Sequence, residues 1–347
     1  MMHKSANEPG QTVDGAYELR PASRSGVELA DITHAQEQIR GWVVRTPLVH
    51  SPSLSAKLGV PVHLKLECHQ TTGSFKLRGV SNALVHLGRA GLRRGVVTAS
   101  TGNHGRALAY AARACGAKAV VCMSALVPHN KVEAIRALGA QVHIEGCSQD
   151  DAQARARSLS SEQDLVLIPP FDHPHVIAGQ GTIGLEILEQ LPATRSVLVP
   201  LSGGGLFSGI GIALKAANPK IQMIGVTMEA GCAMVTSLHA GRPVAVEEVP
   251  TLADSLGGGI GLDNRYSFAL LQSLADGTVL VDEASIAQAV RHAYQEEGEV
   301  VEGAAAVGIA ALLSGRADIA NLPGPIVVVL SGRNIDVGLH QQLICAA

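Results

Sequence analysis

The sequence predicts an open, twisted α/β architecture with mostly parallel strands, divided into two lobes. Three observations carry this. From residue 95 onward, short β-branched runs alternate with alanine-rich helical stretches, the pattern of βαβ units. At 347 residues and 46% hydrophobic content, the chain can bury a core large enough to split in two. No internal repeat, low-complexity tract or long linker interrupts the alternation, so the lobe boundary has to come from topology.

In chain order, VVTAS reads as a strand, NHGRALAYAARACGA as a helix, AVVCMS as a strand, NKVEAIRALGA as a helix and QVHIEG as a strand. A helix near residues 151 to 160 and the strand LVLIPP follow. The alternation resumes with the helix VIAGQGTIGLEILEQL, the strand SVLVPL, a glycine loop, a helix to about Ala217 and the strand IQMIGVT. Helices at about 284 to 297 and 304 to 314 precede the buried-type strand PIVVVLS. This places residues 88–172 in a small lobe inserted into a larger one made of 1–87 and 173–347. Ligands are expected at the carboxyl ends of the strands.

Composition excludes several classes. The net charge of −3, the absence of any Lys/Arg run and the 3% aromatic content leave no surface for nucleic acid. The first fifteen residues are polar, and later hydrophobic runs are broken well before roughly 18 residues, so no membrane partner and a cytoplasmic location are expected. Six cysteines, at 68, 115, 122, 147, 232 and 345, form no C-x-x-C pair and read as reduced core thiols. His173 and His175 in FDHPH read as a polar loop, since no H-E-x-x-H or Cys/His cluster accompanies them.

Three loops share a chemistry. In TTGSFKLRGV, Gly73 and Ser74 read as a turn and N-cap, which puts Phe75 and Lys76 in a first helical turn where the helix dipole disfavours an ammonium. A readily neutral amine is what a carbonyl-attacking lysine requires, and Phe75 can cover one face of a flat aromatic aldehyde; an exposed helix-start lysine is the ordinary alternative. In STGNHG, helix-start N–H groups with the hydroxyls of Ser100 and Thr101 form an anion site sized for a carboxylate, or else serve as an ordinary N-cap. Asn103 there adds an amide able to donate to a phenolic oxygen. In SGGGLFSG, Gly203, Gly204 and Gly205 let backbone amides converge on a phosphate. That loop also comes within one residue of a dinucleotide fingerprint, with Glu229 as the ribose-binding acid.

A fourth element separates these readings. PIVVVLS ends at Ser331, which puts a hydroxyl where a pyridine nitrogen could meet it. A nicotinamide-dependent oxidoreductase has no use for Lys76, whereas a pyridoxal 5'-phosphate enzyme needs the amine, the ring-oxygen partner, the phosphate cradle and the ring-nitrogen partner.

Together, KLECHQTTGSFKLRG, STGNHG, PPFDHPHVIAGQGT, SGGGLFSG and LSGRNID resemble the threonine/serine dehydratase and serine racemase family of fold-type II pyridoxal phosphate enzymes, from about residue 30 onward and in family order. The resemblance implies a tryptophan synthase β-like fold of two open twisted mostly parallel sheets flanked by helices. It makes Lys76 the lysine bonded to the cofactor aldehyde, with Phe75 against the ring, Asn103 on the ring hydroxyl, Ser202, Gly203, Gly204, Gly205 and Leu206 around the phosphate, and Ser331 facing the ring nitrogen. It gives the substrate carboxylate to Ser100, Thr101, Gly102, Asn103 and His104. Racemases of the family carry serine as an acid/base at the position of Thr101, so threonine there disfavours racemisation. The acidic cation-binding loop of many relatives is replaced by TMEAGCA, so no metal site is assigned. The implied activity is α,β-elimination of water from a β-hydroxy-α-amino acid, giving a 2-oxo acid and ammonia, in a homodimer. TLADSLGGGIGLDNR and VEGAAAVGIAALL look most like hydroxyectoine-utilisation dehydratases, which suggests a substrate other than plain threonine.

Overall fold

Ten strands fall into two sheets in a computed structural model that describes residues 26–345 apart from Thr101 and Pro128. The strands are β1 (Leu48–His50), β2 (Val62–Lys65), β3 (Val96–Ala99), β4 (Ala119–Met123), β5 (Gln141–Ile144), β6 (Val166–Leu167), β7 (Ser196–Pro200), β8 (Gln222–Met228), β9 (Gly277–Val281) and β10 (Ile326–Val329). One sheet has the order β1-β2-β10-β7-β8-β9, parallel except for the antiparallel β1-β2 pair. The other, β5-β4-β3-β6, is parallel throughout.

Helices cover both faces of the larger sheet, and β10 shows why its sequence is apolar without alternation. Ile326 and Val328 point into one core and Val327 and Val329 into the other, all fully buried. A strand with two dry faces needs a continuous apolar run.

Three helices carry or support the loops singled out above: Lys76–Arg94, Pro174–Gln190 and Gly205–Ala217. The middle one packs against both others through glycines. A Cβ on Gly179 would lie 2.6 Å from the Arg78 carbonyl oxygen, and one on Gly209 would lie 2.6 Å from the Gly181 nitrogen. Only glycine permits backbones to approach so closely, which explains the spacing in VIAGQGTIG. The lysine loop and the glycine loop are thereby set against one common helix.

The periodic elements stand where the sequence predicts them, with small shifts. The helix expected from Val176 starts at Pro174, which suits the first helical position because proline has no N–H to satisfy. The strand expected to run to Ser331 ends at Val329. The N-cap before Lys76 is Phe75, not Ser74, and the chain is held there by Phe75 N–H donating to the Ser331 carbonyl at 3.1 Å. Of the six cysteines, all free, only Cys68 and Cys122 are buried; Cys147 and Cys345 are exposed, so the core-thiol expectation fails for those two. Among the described residues no helix is long and apolar enough to cross a membrane.

Candidate active site

A cleft of about 820 Å³, counting the space open to solvent, gathers residues from every loop discussed above. Phe75, Lys76, Ser100, Asn103, His104, Ser202, Gly203, Gly204, Gly205, Leu206 and Ser331 all line it. Gly102 lines a neighbouring cavity on the far side of Asn103. Thr101, expected on the substrate carboxylate and at the position of the racemases' acid/base serine, lies outside the described residues.

Lys76 opens its helix and points its amine into the cleft, where Nζ donates to the Pro170 carbonyl at 2.8 Å. Its pKa is lowered to about 8, chiefly by burial, with the Glu302 carboxylate pulling the other way. The depressed basicity expected from the helix dipole is therefore present, but loss of water is its main cause.

The STGNHG loop is tied up locally, in the manner of the N-cap alternative. Ser100 Oγ accepts from the Gly102 N–H at 3.0 Å and the Gly105 N–H at 2.8 Å, satisfying two of the amides that were expected to meet an anion. The Ser100 hydroxyl proton remains for a ligand. His104 is buried and bonded through Nε2 to the Ile168 carbonyl at 3.0 Å; burial, then the Lys76 charge, pushes its pKa down to about 3, so it is neutral. Its Nδ1 is buried without a partner among the described residues.

Asn103 is clamped. Its amide donates to Glu302 Oε1 at 2.6 Å and its Oδ1 accepts from Asn334 at 2.6 Å. One amide hydrogen is thus committed inside the protein. Glu302 itself is 3% exposed, and burial raises its carboxyl to about 7, so the site holds a carboxyl that gains its proton near neutrality. At the N-cap of its helix Glu302 could have been a solvated helix end, and its burial rules that out.

Phe171 and Asp172 went unnoticed in the sequence. A Cβ at Gly203 would overlap the Phe171 ring, and Gly204, at φ +84°, sits in the left-handed region that favours glycine. Asp172 accepts from the backbone N–H groups of Arg265, Tyr266 and Ser267 at 2.7 to 2.9 Å, fixing the Phe171 segment to the helix Ser267–Leu274. FDHPH gives a signal for this only through its single aspartate, because the partners lie more than ninety residues away. Glu229, the rival ribose-binding acid, forms a surface ion pair with Arg316.

The description "pyridoxal-phosphate dependent enzyme" matches residues 39–332. The chain belongs to that family. Within it, the threonine/serine dehydratase and serine racemase group is the one it joins. It is 42% identical over 318 residues to an L-threonine ammonia-lyase of Thermotoga maritima, covering 92% of this chain and 78% of that one. Among solved structures, maize serine racemase superposes with a TM-score of 0.86 at 33% identity, covering 91% of this chain and 96% of the racemase. A threonine deaminase from T.th. superposes at 0.82 with 37% identity, covering 89% of this chain and 99% of the deaminase. The fold is the fold-type II arrangement, the chain is an enzyme, and its cofactor is pyridoxal phosphate; the dinucleotide reading is set aside.

The residues fit this family's cofactor. Ser202, Gly203, Gly204, Gly205 and Leu206 line the cleft at the start of the helix Gly205–Ala217, where the first-turn N–H groups and the helix dipole favour a phosphate. Among the described residues the only lysine lining the cleft is Lys76, and a neutral hydroxyl, that of Ser331, lines the same cleft.

Proposed function

We propose that the chain is an ammonia-lyase that removes the β-hydroxyl of a threonine- or serine-type β-hydroxy-α-amino acid, releasing a 2-oxo acid and ammonia. One observation carries the reading: Lys76, the glycine cradle and Ser331 converge on one cleft. Bound pyridoxal phosphate supplies an aldehyde for the substrate amine and a conjugated ring that spreads charge from Cα. In this reading Lys76 would hold the aldehyde carbon, Ser202 to Leu206 the phosphate, Asn103 the ring hydroxyl and Ser331 the ring nitrogen, with Phe75 against the ring face.

Lys76 Nζ would take the Cα proton of a substrate held in the cleft, and its lowered pKa of about 8 keeps a working fraction of neutral amine near neutral pH. The loop of Ser100, Thr101, Gly102, Asn103 and His104 receives the carboxylate, and the neutral His104 adds no competing charge. Ser331 would bring no negative charge to the ring nitrogen, which would make prompt loss of the β-hydroxyl the better outlet for charge at Cα. Ser255, Leu256, Gly257 and Gly259, from TLADSLGGGIGLDNR, line the cleft beside these groups and support extending the substrate class to hydroxyectoine-derived amino acids.

The lobe division 88–172 within 1–87 and 173–347 belongs to the same proposal. It is supported by the break in the Lys76–Arg94 helix at Gly88 (φ 58°) and by a four-stranded sheet drawn wholly from residues 96–167. A cytoplasmic homodimer completes it, to be checked by light scattering and cell fractionation.

The test is 2-oxo acid and ammonia release across threonine, serine, 3-hydroxyaspartate and hydroxylated diamino acids. At least one should turn over, and release from none refutes the reading. The match to maize serine racemase favours racemisation as a second reading; chiral analysis of recovered serine distinguishes it.

A further inference from the structure

We propose that Cys68, His69 and Glu299 form a binding site for a divalent transition-metal ion of the zinc class, in the turn just before the lysine loop. Their donor atoms all lie within 4.8 Å of one another. Glu299 Oε2 is 2.7 Å from His69 Nε2 and 3.9 Å from Cys68 Sγ. Ligands bonded to one tetrahedral zinc at about 2.0 to 2.3 Å stand about 3.3 to 3.7 Å apart, so the two separations bracket what an ion requires.

The donor chemistry selects the ion. One sulfur, one imidazole nitrogen and one carboxylate oxygen suit zinc and its neighbours, not magnesium or calcium, which take oxygen ligands. Charge agrees, because a thiolate and a carboxylate together neutralise a divalent cation, which a half-buried position demands. Cys68 is fully buried and has no disulfide partner, so its sulfur can close the inner side of the site. The His69 side chain is 38% exposed and that of Glu299 16%, which leaves an entry path and room for water in the fourth position. On binding, the sulfur–hydrogen bond breaks, a sulfur–metal bond forms and the proton passes to solvent. Burial and the neighbouring carboxylates raise the Cys68 thiol, so the ion has to displace a firmly held proton.

The turn is anchored where such an ion would be felt. Cys68 N–H donates to the Leu330 carbonyl at 2.9 Å, next to Ser331, and Glu299 lies three residues ahead of Glu302. An ion there ties the segment leading to Lys76 to the segment leading to Glu302. The site was hidden in the sequence because Glu299 stands 230 residues from His69.

The test uses the full, cofactor-loaded chain, stripped with a chelator, in a Cys147→Ser/Cys345→Ser background that removes the two exposed thiols. Calorimetric titration with Zn²⁺ should show one ion per chain, weakened at least tenfold in Cys68→Ser and in Glu299→Gln. Co²⁺ should give a thiolate charge-transfer absorption that Cys68→Ser abolishes. If Cys68→Ser does not fold, Glu299→Gln carries the comparison, since its side chain lies at the edge of the site. No Zn²⁺ binding in the background protein, or equal binding in the variants, overturns the proposal.

Discussion

Replacing Glu186 with glutamine should cost the folded protein about 3 to 5 kcal/mol. Glu186 accepts from Lys65 Nζ at 2.6 Å and from the Arg78 guanidinium at 2.7 and 3.0 Å, while Arg78 also donates to both Glu67 oxygens at 2.8 Å. Two cations thus face two carboxylates, and none of the four side chains is more than 7% exposed. The network ties together β2, the first turn after Lys76 and the helix Pro174–Gln190. Burial and then the Arg78 charge lower Lys65 against the pull of the Glu67 and Glu186 carboxylates, whereas at Arg78 the same carboxylates outweigh burial and raise it. Glu186→Gln leaves one buried positive charge without a counter-charge, a large share of the 5 to 15 kcal/mol that typically separates folded from unfolded chains. Urea unfolding followed by circular dichroism should show the loss as a lower midpoint at unchanged slope. Adding Lys65→Met removes the surplus charge, so the double variant should be more stable than Glu186→Gln alone. A loss below about 1 kcal/mol, or a double variant that is worse still, would refute the reasoning.

Three further outcomes follow from the site. Gly203→Ala pushes a methyl group into the Phe171 ring, so cofactor affinity should fall tenfold or more by equilibrium dialysis, and adding Phe171→Ala should restore part of it. The Glu302 carboxyl, raised from 4.5 to about 7 by burial, keeps a proton in the folded chain that the unfolded chain has already lost between those values. Its stabilising contribution is therefore complete below pH 4.5 and gone by about pH 7, and in the cofactor-free protein Glu302→Gln should flatten that slope of stability against pH. Turnover should climb as pH rises through about 8, where Lys76 gives up its proton; a kcat independent of pH across that range contradicts its role as base.

The parallel strands β3 to β8 and β10 and the helices between β3 and β8 were legible because each rests on local periodicity and a clean turn, unlike β9. β1 and β2 were not. β2 reads VHLK, and its Lys65, which looks like a surface residue, is fully buried in the ion network, so the apolar signal is broken by the residue that matters most to its burial. Its place beside β10 depends on a partner more than 260 residues away. The same distance effect governs the site. Glycine and lysine loops announce themselves by composition, whereas the Asn103–Glu302 clamp joins residues 199 apart, and the burial that lowers Lys76 is set by packing no local window contains. Ser100 was legible as one of two readings, since a short polar side chain at a helix start serves its own backbone first.

The most direct measurement is the visible absorbance and 2-oxo acid production of Lys76→Ala beside the parent enzyme, both reconstituted with pyridoxal phosphate. Both signals should vanish together while the circular dichroism stays native. A variant that keeps the absorbance of covalently held cofactor, or still releases ammonia at the parent rate, would contradict the assignment of Lys76 on which the account rests.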